Sequence, residues 1–326
     1  MGGLSTLVKA WKTPDMRKKI IFTLLMLVVF RIGSNIPVPG IDREILSQTF
    51  ADGGNGLIDL FNLFSGGAFA NMTIFALSIT PYITASIIFQ LLTIAIPRLE
   101  AVAKEGLEGR KKIARWTRYL TVVLALIQAI GVTIGMFRSA LISTNFFSVA
   151  VIVLVLSAGT AFLMWLGEQI NENGIGNGIS LIIFAGIIAR LPSGIHNIWL
   201  SLKDGTISYM TVALFIVFAV LVIIGIIEIQ QGHRRVPVQY AKRVVGRKMY
   251  GGQSSHIPIK VNQAGVIPVI FALSILQFPL TITYFTGSDS DFALWVEKWL
   301  SPTGSPGVWF YSILNILLII FFTYFY

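Results

Sequence analysis

Long apolar segments without charged residues recur along the chain, and shorter segments between them carry most of the charges. One helical crossing of a bilayer needs about 20 consecutive apolar residues. The pattern therefore predicts eight transmembrane helices, of which the fifth is short and the third and fourth should form an antiparallel pair. The predicted spans cover residues 18–38, 72–96, 116–138, 147–170, 178–191, 207–229, 263–286 and 308–326.

One apolar stretch, residues 61–97, lacks Asp, Glu, Lys and Arg but is interrupted by Ser65-Gly66-Gly67 and by Thr80-Pro81. Because it is too long for one straight span, we expect a short segment before the glycines and a span that starts near Met72 and bends at Pro81. Backbone in the short segment cannot face lipid, so protein must surround it or it must line a cavity. The residues alone slightly favour the alternative, an ordinary interfacial loop.

Three connecting segments show patterns of their own. Residues 98–118 mix charges of both signs and predict a short polar helix and a turn before the third span. Residues 232–260 alternate apolar and polar positions, which is typical of strands, and predict a basic β-hairpin that turns at Gly246 or at Gly251-Gly252. The glycines of NGIGNGIS, residues 173–180, predict a flexible joint; a phosphate-binding loop would need the Lys-Ser/Thr that is missing here.

Composition and charge place these elements in a membrane. Of the 326 residues, 55% are hydrophobic and 12% are charged, and the mean hydropathy is +0.77, which excludes an ordinary soluble protein. The net charge of +10 is better explained by membrane topology than by nucleic-acid binding. Of the 25 Lys and Arg residues, 19 lie in alternate segments before and between the predicted spans, namely 1–19, 98–118, 168–177 and 230–260. The positive-inside rule makes these segments, and hence the N-terminus, cytoplasmic. Segment 168–177 itself contains no Lys or Arg.

The chain offers few residues for catalysis. It has no cysteine, its three histidines lie far apart in loops, and Arg31 is the only charged residue well inside a predicted span. We therefore expect no enzymatic activity, no cofactor and no metal site. A coupled solute transporter usually buries carboxylates in its spans, and these are missing. Isoleucines four residues apart, at 79 and 83 and at 179 and 183, share helix faces, for which generic packing is the simpler interpretation.

Several longer motifs together resemble the SecY family of protein-conducting channels. They are FRIGSNIPVPGID, LFNLFSGGAF, PYITASIIFQLL, KEGLEGRKKIARWTRY, FLMWLGEQINENGIGNGISLIIFAGI, QYAKR and HIPIKVNQAGVIPVIFA. The resemblance implies an all-α polytopic membrane protein, a SecY-like inverted-repeat helical bundle with eight of ten expected transmembrane helices present. It divides the chain into an N-terminal half, residues 1–191, and a partial C-terminal half, residues 192–326, and suggests a chain truncated within the eighth span.

The resemblance also implies roles for individual residues. A plug at residues 57–67 would close the pore, and a ring of isoleucines would line its narrowest point. Polar residues would make contacts across a lateral gate. Basic residues of the hairpin, residues 231–260, would bind cytoplasmic partners. The plug comprises Leu57, Ile58, Leu60, Phe61, Asn62, Leu63, Phe64, Ser65, Gly66 and Gly67; the ring Ile79, Ile83, Ile179, Ile183 and Ile270; the gate Thr84, Gln128 and Asn262; and the docking surface Arg234, Arg235, Lys242, Arg243, Arg247 and Lys248.

The function implied by the resemblance is passage of secretory polypeptides across the bacterial plasma membrane, with lateral release of transmembrane segments into the lipid bilayer. The implied partners are SecE and SecG, the SecA ATPase, the ribosome, signal sequences and unfolded secretory or membrane-protein chains. Two alternatives remain open at this point: a coupled secondary solute transporter, and a membrane insertase without a full pore.

Overall fold

The computed structural model describes residues 11–42, 45–46, 62, 65–238, 243–245, 248–250, 255–286, 290–300 and 307–326. Helices account for most of this part of the chain. A π-helical turn, Val132–Met136, and a 3-10 turn, Arg138–Ala140, follow the fourth helix. The helices are α1 (Pro14–Gly33), α2 (Thr80–Ala95), α3 (Pro97–Lys104), α4 (Leu107–Gly131), α5 (Phe146–Asn173), α6 (Gly178–Ala189), α7 (Leu191–Lys203), α8 (Tyr209–Gln231), α9 (Ile267–Thr286), α10 (Asp291–Leu300) and α11 (Gly307–Phe325).

Several of these helices are long and apolar enough to cross a membrane. In the described part of the chain there are five such stretches, or six if α2 and α3, which meet at a bend of 103°, count as one broken span. The predicted membrane fold of mostly helical structure is confirmed, but the predicted count of eight spans is not. The five stretches are Leu107–Gly135, Phe146–Asn173, Gly178–Lys203, Tyr209–Gln231 and Gly307–Phe325.

The predicted second span, residues 72–96, is wrong at its beginning. Residues 65–79 form turns, and the helix begins only at Thr80. Pro81 lies in the first turn of α2, where its missing N–H has no helical partner to lose, so it starts the helix instead of bending it. Positive φ angles at Met72 and Ser78, 40° and 53°, break any helix upstream.

The predicted fifth span, residues 178–191, is too short. Helical structure resumes at Leu191 and continues to Lys203, so that Gly178–Lys203 reaches 26 residues. Pro192 lies in the first turn of α7, a position that tolerates proline. The proline therefore does not end the helical stretch.

The other predicted spans differ less. The first helix covers Pro14–Gly33 and therefore begins and ends earlier than the predicted residues 18–38. The third begins at Leu107 because the charged segment before Trp116 belongs to the same helix. The seventh begins at Ile267 and contains Pro279 in its interior. The predicted short polar helix is α3, and the turn after it includes Gly106 at a φ of 79°.

The predicted basic hairpin is present as two short antiparallel ladders. Strand β1 (His233–Val238) pairs with β4 (Ser255–Lys260), and β2 (Arg243–Val245) pairs with β3 (Lys248–Tyr250). The pair Val245↔Lys248 leaves only residues 246–247 between β2 and β3. Both predicted turns, at Gly246 and at Gly251-Gly252, lie outside the described residues.

The chain forms two compact units, the first made of Met1–Ser193 and Ile270–Ile319 and the second of Gly194–Val269 and Ile320–Tyr326. In the first unit, α2 packs against α4, α4 against α5, and α5 against α1 and α6. A buried cluster that includes Phe30, Leu163, Leu166, Ile170 and Ile182 joins α1, α5 and α6 to the start of α2. This cluster positions the site described below. The predicted division at residue 191 stays a prediction.

Candidate functional site

Four of the five predicted ring residues line one small cavity in the first unit. Ile79 and Ile83 come from the start of α2, Ile183 from α6 and Ile270 from α9. The cavity has a volume of about 30 Å³. Its other lining residues are Ser78, Thr80, Leu273, Ser274 and Gln277.

The cavity is small, and five of its nine lining residues are aliphatic. A cavity of about 30 Å³ holds two or three water molecules at most, since each needs roughly 10–15 Å³. The hydroxyl of Ser274 donates a hydrogen bond of 2.8 Å to the carbonyl oxygen of Ile270 in its own helix, so that its proton is already used. Isoleucine side chains from three helices therefore meet where little water fits.

The fifth predicted ring residue, Ile179, is absent from the described residues that line this cavity. It is partly buried against the cluster of α1, α5 and α6, as Ile83 and Ile183 also are. A β-carbon on Gly167 of α5 would lie 3.2 Å from Cγ1 of Ile179, which shows how closely this side chain approaches α5. Ile179 thus lies one helical turn from Ile183, at the edge of the site.

Sequence reasoning missed the polar lining residues and the contribution of the rest of α9. Ile270, Leu273, Ser274 and Gln277 are spaced i, i+3, i+4 and i+7, so they share one face of α9. The same spacing in the sequence could have indicated these residues once Ile270 had been assigned to the ring. Ser78 and Thr80 enter the lining because α2 begins at Thr80, which the sequence did not predict.

Of the predicted plug, the structure describes only Asn62, Ser65, Gly66 and Gly67. Asn62 is buried, and its Oδ1 accepts a hydrogen bond of 3.1 Å from the N–H of Ala70. Its carbonyl oxygen accepts hydrogen bonds from the N–H of Gly67, at 2.9 Å, and from the hydroxyl of Ser65, at 3.2 Å. Residues 65–70 therefore form a closed turn, called the glycine turn below. Leu57, Ile58, Leu60, Phe61, Leu63 and Phe64 lie outside the described residues.

The predicted gate residues make local hydrogen bonds. The hydroxyl of Thr84 donates to the carbonyl oxygen of Thr80 at 3.1 Å, and Oδ1 of Asn262 accepts from the N–H of Gly265 at 3.0 Å. Gln128 is partly buried on α4, the helix that packs against α2. A gate across these residues remains a prediction.

The predicted docking residues belong to the hairpin of the second unit. Arg234 and Arg235 are exposed on β1, opposite Ile259 and Pro258 of β4. Arg243 and Lys248 lie on β2 and β3, whereas Lys242 and Arg247 lie outside the described residues. In the described part of the chain, no group of three His, Cys, Asp or Glu side chains could hold a metal ion.

Comparison with known proteins agrees with the helical architecture. A model of the SecY family matches residues 73–326. The chain belongs to the SecY family. The protein translocase subunit SecY of Halalkalibacterium halodurans is 50% identical, over 98% of this chain and 75% of that protein. The corresponding subunit of Streptomyces galbus is 45% identical, over 99% of this chain and 76% of that protein.

Solved SecY-type channels share the fold. A protein-conducting channel aligns with a TM-score of 0.66 at 19% identity, over 96% of this chain and 72% of the channel. Sec61 from a canine ribosome–channel complex aligns with a TM-score of 0.64 at 18% identity, over 96% of this chain and 72% of that protein. These relatives do not favour the solute transporter or the insertase without a full pore.

Proposed function

We propose that this SecY-family chain is the channel subunit through which unfolded secretory polypeptides cross the membrane and transmembrane segments leave sideways into lipid. The observation that carries the proposal is the convergence of Ile79, Ile83, Ile183 and Ile270 on one cavity of about 30 Å³. These residues come from three segments that are far apart in sequence: the start of α2, α6 and α9.

The isoleucines act as a collar at the narrowest point of the channel. Apolar constrictions block ions because water leaves them, and they need no fixed charge to do so. Branched aliphatic side chains can also change rotamer around a passing chain of any sequence. The collar therefore closes the resting channel without binding its substrate.

A signal sequence opens the lateral gate by burying its apolar side chains. Each large apolar side chain gains about 1.5–3 kcal/mol on transfer from water. An interhelical hydrogen bond in a membrane contributes only about 0.6 kcal/mol on average. Several apolar side chains thus outweigh the polar contacts of Thr84, Gln128 and Asn262 and shift the population towards the open state.

The chain is a passive conduit and not an enzyme. Energy comes from the SecA ATPase or from the ribosome, which bind the basic hairpin at Arg234, Arg235, Lys242, Arg243, Arg247 and Lys248. SecE and SecG complete the complex in the bacterial plasma membrane, with the N-terminus in the cytoplasm. The distribution of Lys and Arg along the chain supports this orientation.

Site-specific cross-linking tests the proposal. Because the chain contains no cysteine, a single photo-reactive label can be attached to Ile183→Cys in the assembled complex. A secretory chain stalled during translocation should cross-link to this position. The matched control is Ile187→Cys, one turn further along α6, which is exposed and does not line the cavity. Equal labelling of both positions, or labelling of Ile187→Cys alone, would contradict the proposal.

A further inference from the structure

The buried stripe of α6 carries a glycine at each end. Gly178, Ile182 and Gly186 are the buried residues of this helix and recur every four positions, so they lie on one face. Ile182 packs into the cluster of α1, α5 and α6. The two glycines allow other parts of the backbone to approach the helix closely.

The first glycine fixes the beginning of α6 against α5. A β-carbon on Gly178 would lie 2.1 Å from the carbonyl oxygen of Gly167, a distance that excludes any side chain. The N–H of Gly178 donates a hydrogen bond of 2.7 Å to Oδ1 of Asn171. Asn177 caps the helix by accepting hydrogen bonds from the N–H groups of Ile179 and Ser180. The beginning of α6 therefore has little freedom to move relative to α5.

The last glycine of the stripe contacts the glycine turn. A β-carbon on Gly66 would lie 2.9 Å from both the Cα and the carbonyl oxygen of Gly186. The two backbones are thus in direct contact, and Gly66 also has a φ of 65°, which favours glycine. The hydrogen bonds of Asn62 and Ser65 hold the turn in the shape that makes this contact.

Ile183 lies between these two contacts and lines the cavity. It precedes Gly186 by three residues and follows Gly178 by five, so the helix that carries it is fixed at both ends. A shift of the glycine turn would move the end of α6, because the contact at Gly186 leaves no gap to absorb it. Packed interiors transmit such displacements.

We propose that Gly186 is a positioning residue for channel closure: it seats the glycine turn at Gly66 and thereby holds Ile183 in the closed cavity. The inference rests on the proposed function, since closure has meaning only for a channel. Gly186 does not itself line the cavity.

The test is the ion leak of the resting channel. The full chain, co-expressed and reconstituted with its translocase subunits in lipid vesicles, is compared with its Gly186→Ala variant. Gly186 is buried and its backbone already touches Gly66, so an added methyl group should disturb this contact and raise the resting ion flux severalfold. The matched control is Gly225→Ala in α8, where no described atom lies within 4 Å of an added β-carbon. A leak no larger than that of the control overturns the proposal.

A double-mutant cycle separates positioning from general damage. If Gly66→Ala and Gly186→Ala disturb one contact, the double variant should leak little more than the worse single variant. Independent, additive effects overturn the proposal. If Gly186→Ala does not assemble, the ion leak of Gly66→Ala is compared with that of Gly225→Ala. A leak no larger than that of Gly225→Ala then overturns the proposal.

Translocation of a secretory precursor, measured on the same vesicles, distinguishes the two proposals. An unsubstituted complex that translocates no precursor contradicts the proposed function. A complex that translocates normally while Gly186→Ala leaks no more than the control contradicts only the role of Gly186.

Discussion

Nε of Arg118 donates a hydrogen bond of 2.6 Å to Oε1 of Glu168, which joins α4 to α5 near their predicted cytoplasmic ends. Glu168 begins the one predicted cytoplasmic segment that has no Lys or Arg of its own. The ion pair thus gives this segment a positive partner from the neighbouring helix. The side chain of Glu168 is 21% exposed and that of Arg118 is 47% exposed.

Arg118→Gln should lower the stability of the chain slightly. Partly exposed ion pairs contribute about 1 kcal/mol or less because water screens them. We expect a decrease of about 2 °C or less in the thermal unfolding midpoint measured in detergent. The reversed pair, Arg118→Glu with Glu168→Arg, should recover part of the loss. A reversed pair that unfolds earlier than either single variant would show that the attraction between these charges is not the cause.

Ile183→Asn should make the resting channel leak. An amide at the cavity stabilises water where isoleucines exclude it, so ion flux into vesicles should rise severalfold while the protein still assembles. Ile187→Asn is the control because it adds the same amide to α6 outside the cavity. Similar leaks from both variants would contradict the conclusion that the cavity closes the resting channel.

Gly33→Ala should destabilise the packing of α1 on the segment before α2. The ring of Phe75 stacks between Phe30 and Phe162, with centroid distances of 6.1 and 5.9 Å. A β-carbon on Gly33 would lie 2.1 Å from Cε2 of Phe75. Overpacking of this kind costs about 1–3 kcal/mol.

The unfolding free energy of Gly33→Ala in detergent checks this expectation, with Gly225→Ala as the control. Phe75→Leu provides space for the new methyl group, so the substitutions should be non-additive when combined. Strictly additive losses would indicate that Phe75 and Gly33 do not constrain each other.

Apolar replacements at the predicted gate should change which signal sequences are accepted. Combining Thr84→Val, Gln128→Leu and Asn262→Leu removes the polar groups that would form hydrogen bonds across the proposed gate, each worth about 0.6 kcal/mol between membrane helices. Export of precursors with weakened signal sequences should therefore differ from that of the unsubstituted chain. Export of precursors with intact signals is the control. An unchanged ranking of signal sequences counts against the gate.

Charge reversal on the hairpin should weaken binding of cytoplasmic partners. Arg235→Glu and Arg243→Glu replace attraction to acidic or phosphate-rich surfaces with repulsion, so affinity for SecA or ribosomes should fall and depend less on salt. Lys203→Glu at the end of α7 is the control for each single reversal, because it makes the same change in net charge at a predicted outside loop. Binding that is equally reduced by the control would mean that net charge alone matters.

The sequence by itself determined the membrane class, most of the helices and the hairpin. A charge-free segment of about 20 residues can satisfy all its backbone hydrogen bonds in lipid by itself only as a helix, so this requirement acts on the segment alone. The alternation around Val236 and Ile257 is equally local, and these two residues face each other across β1 and β4. Family motifs also indicated the isoleucines at 79, 83, 183 and 270, although periodicity alone did not separate them from ordinary packing.

Tertiary structure decided where helices begin and which side chains meet. Phe75 packs against Gly33 and Gly159, and α2 starts only at Thr80, after this contact. The helix propensity of residues 72–79 did not predict this late start. Gly66 reaches Gly186, and Ile79 shares a cavity with Ile270, across long separations in the chain. Such contacts depend on backbone distances that only the packed helices set, so no local pattern could specify them.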